Sequence, residues 1–184
     1  TEIYTLSLHD ALPISDRRGV VFGRNSVDKT RDVYGRWKLL RQSRGDRNMP
    51  VTITAFGQAA AKMSPRKEDD PTGTLTFQNR LSYTAQLLIA RKFNQRLSLQ
   101  LMPTMIHRNR VDKDIEDNDQ FALGVGGRLK VSRSVALTTE YYYRLNTFDT
   151  NPNKDVLGFG IDIETGGHVF QLVLTNTRGL TERA

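Results

Sequence analysis

The sequence predicts an all-β protein: an antiparallel, up-and-down β-barrel of the transmembrane type, incomplete, with about eight or nine strands. Three observations predict it. From Val51 onward apolar residues recur with period two. Six successive connections alternate strictly between long and short. The faces opposite the apolar ones consist of small residues with single charges set among them.

The domain is expected to start after about residue 15. Thr1 to Ile14 back-translates, codon for codon, into one frame of a common sequencing adapter. Residues 1–15 therefore read as adapter-derived and not native, and residues 16–184 as a partial outer-membrane β-barrel domain. The opening "TEIYTLSLHDALPIS" also lacks the basic leading segment and small-residue cleavage site of a signal peptide. At the other end, "TNTRGLTERA" lacks the terminal aromatic residue on which outer-membrane barrels often finish, so both ends read as cut.

Without the first fifteen residues the chain carries 27 basic against 18 acidic side chains, a net charge of +9. The cations are scattered singly, with no compact basic run, which suits solvated faces and a polar interior and gives no sign of nucleic-acid binding. With no cysteine, the chain has neither a disulfide framework nor a thiolate metal site. No run of 18 apolar residues exists, which excludes a transmembrane helix but not a spanning barrel, whose strands alternate.

Taken in order, the early strands are Val20 to Arg24, Val33 to Arg41 and Val51 to Ala61. Next, Leu81, Tyr83, Ala85, Leu87 and Ile89 stand against Ser82, Thr84, Gln86 and Ala90. Leu97, Leu99 and Leu101 then stand against Ser98 and Gln100. Phe121, Leu123, Val125, Leu129 and Val131 oppose Ala122, Gly124, Gly126, Arg128 and Lys130. Val135, Leu137, Tyr141, Tyr143 and Leu145 oppose Ala136, Thr138, Glu140, Tyr142 and Arg144. Leu157, Phe159, Ile161 and Ile163 oppose Gly158, Gly160, Asp162 and Glu164, and "TGG" then turns the chain into His168 to Asn176.

The connections Lys62 to Thr74, Val111 to Asp119 and Asn146 to Lys154 are long; Asn94 to Arg96, Ser132 to Ser134 and Thr165 to Gly167 are short. In an up-and-down sheet alternate connections share an end, so the long loops gather at one end and the tight turns at the other. The rival is a soluble periplasmic β-barrel with an apolar interior that binds a small apolar ligand. Two features favour the membrane: the small-plus-charged composition of the non-apolar faces, and aromatic residues at strand ends beside long loops, among them Phe77, Tyr83 and Tyr141 to Tyr143.

Motifs for chemistry are weak. "GVGG" at Gly124 to Gly127 lies within a strand pattern rather than before a helix, so it reads as close packing and not as a phosphate loop. "DKDIEDND" lacks the glycine and final glutamate of the helix-loop-helix calcium motif and reads as a solvated loop. His107 and His168 lie on different strands without a partner at metal-ligand spacing, and no serine is singled out as a nucleophile. The expectation is no enzyme, no cofactor and no metal. Strand alternation does give a set of candidate lumen-lining charges: Arg36, Lys38, Arg128, Lys130, Glu140, Arg144, Asp162 and Glu164. They are expected to pair across neighbouring strands, or to favour anions if a channel stays open.

At "RLSYTAQLLIARKFNQRLSLQLMPTMIHRN" and "IDIETGGHVFQLVLTNTRGL" the chain resembles a Bacteroidota-type family of outer-membrane β-barrel proteins, known as a membrane-bound barrel domain of unknown function. The resemblance runs from about Gly23 to the end. It implies a bacterial outer-membrane protein with a signal peptide and further strands before Gly23 and a closing segment after Ala184. It transfers no catalytic or ligand-binding residue. The expected partner is the lipid bilayer of the outer membrane, with small anionic solutes the class an open lumen would admit. The expected role is either a passive pore or a structural membrane barrel.

Overall fold

A computed structural model describes residues 18–25, 30–45, 48–63, 76–111, 113–114, 117–146, 155–166 and 168–176. The stretch read as adapter lies outside them. Nine strands follow one another: β1 (Arg18–Asn25), β2 (Thr30–Leu40), β3 (Thr52–Lys62), β4 (Leu81–Lys92), β5 (Leu97–Arg108), β6 (Asp119–Lys130), β7 (Val135–Arg144), β8 (Val156–Thr165) and β9 (His168–Thr175). A single 3-10 turn, Gln78–Arg80, precedes β4. They form one antiparallel sheet in sequence order, β1 to β9, as an up-and-down barrel wall requires. Among the described residues β1 and β9 each pair on one side only, so the sheet is an open barrel segment.

The tight turns are made by side chains that stand in for backbone. Asn94 Oδ1 accepts from the N–H groups of Arg96 and Leu97 at 2.8 Å each. Ser132 Oγ does the same for Ser134 (3.2 Å) and Val135 (3.0 Å). In the third turn Gly166 sits at φ +56°, where a side chain would be strained. At the long-loop end, two asparagines just beyond strand ends extend the ladder. Asn146 accepts from Phe121 N–H (2.7 Å) and donates to Asp119 O (2.7 Å), and Asn176 accepts from Leu157 N–H (2.9 Å) and donates to Asp155 O (2.8 Å).

The expected alternation of loop lengths over the six connections from Lys62 onward holds, and the connections before β3 lie outside it. The β2–β3 connection, residues 41–51, lies at the tight-turn end yet is long, because β2 begins at the end where β3 leaves for the loop before β4. A register shift between Lys38 and Leu40 marks its start. Its two arms then bridge, Ser43 and Met49 exchanging hydrogen bonds of 3.1 Å.

The pleat decides what faces where. The paired rows Phe56↔Gln86, Gln86↔Thr104, Thr104↔Ala122 and Ala122↔Arg144 share one face; Ala55↔Leu87, Leu101↔Val125 and Val125↔Tyr141 share the other. The first face is buried: Thr84 is 4 % exposed, Gln86 3 %, Gln100 3 % and Asp162 1 %. The second is exposed: Leu87, Leu101, Val125 and Tyr141 lie on the outside, joined by Trp37, Phe159, Leu172 and Leu174. A soluble protein buries the opposite face; this one turns its apolar side out, where only a lipid environment accepts it. From Leu81 to Ile89 the outward row runs about 27 Å along the strand at ~3.3 Å per residue, on the order of the hydrocarbon thickness.

The orientation predicts a reversal of ordinary surface behaviour. Leu87→Arg, a change to an exposed side chain, costs about 2–4 kcal/mol in protein folded in lipid vesicles and followed by urea titration. A cost within about 0.5 kcal/mol, usual for a water-facing position, overturns the lipid-facing assignment.

Candidate functional site

The inward face carries two layers. Nearest the tight turns is an ionic cluster. Arg128 on β6 reaches over β7 to β8, placing Nε 3.2 Å from Asp162 Oδ2 and Nη2 3.3 Å from Glu164 Oε1; Lys130 Nζ lies 3.4 Å from Glu164 Oε2. Gln171 on β9 completes it, donating from Nε2 to Asp162 Oδ1 at 2.9 Å. The intervening strand permits the crossing because its inward residues are small: Ala136 is 1 % exposed beneath Lys130 and Asp162, and Thr138 lies between Arg128 and Gly160. Two cations meet two anions, so the cluster is charge-balanced.

Midway along the strands lies an apolar layer. Phe56, Leu88 and Met102 form its buried core, Met102 at 0 % exposure, with Tyr34 and Tyr142 packed against it. The Tyr34 and Phe56 rings are 5.6 Å apart between centroids. Tyr142 on β7 lies across β6 at Gly124, where any Cβ would collide with its ring. Its hydroxyl ends 3.3 Å from Met102 Sδ on β5 and accepts from Gln86 Nε2 on β4 at 3.1 Å. One side chain thus links four strands. Gln86 Nε2 also donates to Thr104 Oγ1 at 2.8 Å, and Gln58 Nε2 to Asp32 Oδ2 at 2.7 Å.

All eight sequence-predicted charges face inward by register, but only half of them come together. Arg128, Lys130, Asp162 and Glu164 form the cluster, across alternate strands rather than the adjacent ones expected, because the alternate strand lies within reach of an arginine once β7 presents Ala136 and Thr138. Arg36 and Lys38 lie on β2, on the far side of the sheet, opposite Phe56 and Thr54. Glu140 stands between Gly126 and Gly158, and Arg144 opposite Ala122; neither joins the cluster. Arg128 and Lys130 thus stand beside acids within the cluster.

The apolar layer was missed by sequence reasoning. Its signal was present: Leu88 and Met102 break the alternation, each an apolar residue on a face otherwise polar. His107 has no partner at metal-ligand spacing in the sequence; folding brings Asp119 directly opposite it, Nδ1 to Oδ1 2.6 Å, because β6 pairs with β5 in that register. Near the same end Tyr141 donates to Asp155 Oδ2 at 2.6 Å. Both pairs sit where outward aromatic residues meet the long loops, the position of an interfacial girdle.

An up-and-down antiparallel sheet with an apolar outside and a polar, side-chain-filled inside defines the class: a membrane-embedded β-barrel. The chain belongs to the family described as membrane bound beta barrel domain, whose model matches residues 6–184. That match begins within the stretch read as adapter-derived. No curated protein and no solved structure matches the chain.

Two substitutions test the inward layers. Gly124→Ala destabilises by about 1–3 kcal/mol through overpacking against Tyr142, and in a Tyr142→Ala background that penalty disappears in a double-mutant cycle. Arg128→Met leaves Asp162 without its cation and costs about 3–5 kcal/mol in a denaturant titration. An effect below about 1 kcal/mol contradicts the buried pair.

Proposed function

We propose that the chain forms the wall of a bacterial outer-membrane β-barrel whose interior is occluded by its own side chains, a structural unit of the membrane rather than an open pore. The filled inward face carries this reading. Leu88, Met102 and Asp162 are each at most 2 % exposed, and Tyr142 spans the concave side from β7 to β4. Tight turns at one end with long loops at the other support the outer membrane, where such barrels place their turns toward the periplasm. The bilayer is the partner this reading requires, and it assigns the chain no catalytic step and no cofactor.

The polar lining argues against an apolar-ligand barrel. Thr54 Oγ1, Ser82 Oγ and Gln100 Oε1 are buried polar atoms on the inward face, groups that water satisfies and a hydrocarbon ligand does not. Small anionic solutes belong to the rival reading of a passive pore.

Reconstituted in planar bilayers, the protein is expected to show no stepwise conductance. Steps in the wild type would sink the occluded reading in favour of the pore. Sedimentation with the outer-membrane fraction on a density gradient is the expected location; recovery in a detergent-free soluble fraction overturns the membrane role.

A further inference from the structure

The tight-turn end carries a feature that the barrel does not need. The first arm of the 41–51 connection is fastened to β4 by Gln42. Its side-chain Nε2 donates to Lys92 O at 2.9 Å, its Oε1 accepts from Lys92 N–H at 2.8 Å, and its own N–H donates to Thr52 Oγ1 at 3.0 Å. The clamp skips over β3 to fasten β2's extension to the end of β4. Between that arm and the β4–β5 turn lies a cleft of about 530 Å³.

Five cations line it, Lys38, Arg41, Arg44, Arg91 and Lys92, and among the described residues its lining holds no Asp or Glu. Among the described residues Arg41, Arg44, Arg91 and Lys92 make no ion pair with a carboxylate, and Arg91 lies over the Phe93 ring, 5.0 Å from its centroid. This contrasts with the Arg128 cluster, where each cation meets an anion. Thr52 and Ser98 add hydroxyls, and Asn94 and Gln95 amides, to the same wall. Arg41, Arg44, Arg91 and Lys92 thus line one cleft with no carboxylate partner among the described residues, which leaves a site whose electrostatics call for an anion from outside. Three guanidinium forks and two ammonium groups along one cleft match the several oxygens and the double charge of a phosphate better than the single charge of a carboxylate. The volume exceeds a bare phosphate and suits one carrying a small organic group.

We propose that this cleft binds a phosphate-bearing anion at the turn end of the barrel, either the headgroup of an anionic phospholipid or a soluble phosphate. The site is independent of whether the interior conducts.

The test uses the full chain folded in detergent micelles and titrated calorimetrically with inorganic phosphate, with phosphatidylglycerol or phosphatidylcholine added to matching samples. Saturable binding of phosphate or of phosphatidylglycerol is expected, weakened about tenfold or more by Arg41→Gln with Arg44→Gln. Lys113→Gln, at the opposite end, leaves it unchanged. Displacement of phosphate by phosphatidylglycerol but not by phosphatidylcholine identifies the lipid source; phosphate binding that phosphatidylglycerol leaves intact identifies a soluble one. Neither ligand saturating, or binding that survives the double substitution at full strength, overturns the proposal. Arg41 and Arg44 are exposed, and retention of the heat-modifiable gel mobility of the folded barrel shows that their loss spares the fold.

Discussion

Each strand from β2 to β8 gives its backbone hydrogen bonds to the strand before it and the strand after it, and the rest of the molecule depends on that ladder. In hydrocarbon no water is available to an unpaired N–H or C=O, so each group must find its partner within the wall. Pairing in strict sequence order meets this demand with the shortest connections. It also couples the two faces: because side chains alternate, a row that turns Leu87 and Val125 toward lipid must turn Gln86 and Gly126 inward. The ladder even recruits side chains at its ends, with Asn146, Asn176 and Gln42 each supplying both a donor and an acceptor where a strand stops short.

A polar face turned inward must then satisfy itself, and this chain does so by letting long side chains pass over short ones. Tyr142 crosses at Gly124, and Arg128 crosses at Ala136 and Thr138. The small residues are as much a part of these contacts as the large ones, since a bulkier neighbour would block the path. Spanning several strands from one position braces the curved sheet against flattening, which the backbone ladder alone resists weakly. The apolar layer of Phe56, Leu88 and Met102 lies between polar rows and offers dispersion contacts where a hydrogen-bonding residue would need a partner.

Charge is distributed unevenly around this frame. On the β6–β9 side it is balanced, two cations against two anions in contact. On the β2–β5 side of the same end, cations gather in the cleft with no acid among the described residues that line it. The difference traces to one long connection, residues 41–51, placed where its three counterparts from β4 onward are tight turns.

Much of the fold was legible in the residues themselves. A period of two is a property of the chain, so Phe121 through Val131 or Val135 through Leu145 declare a strand and its two faces before any partner is known. The alternation of long and short connections declares how such strands are laid side by side. What the apolar rows alone could not declare was which face points in, because a row such as Leu97, Leu99 and Leu101 is equally apolar in a water-soluble sandwich; the burial of the polar face in the folded sheet decided it. The partnerships were equally hidden. Arg128 meets Asp162 thirty-four residues away, and His107 meets Asp119, only because register brings them opposite or one strand apart. The cleft around Arg41 and Arg91 joins segments fifty residues apart through a single glutamine, a contact that follows from the register of β2 to β4 and that no local pattern contains.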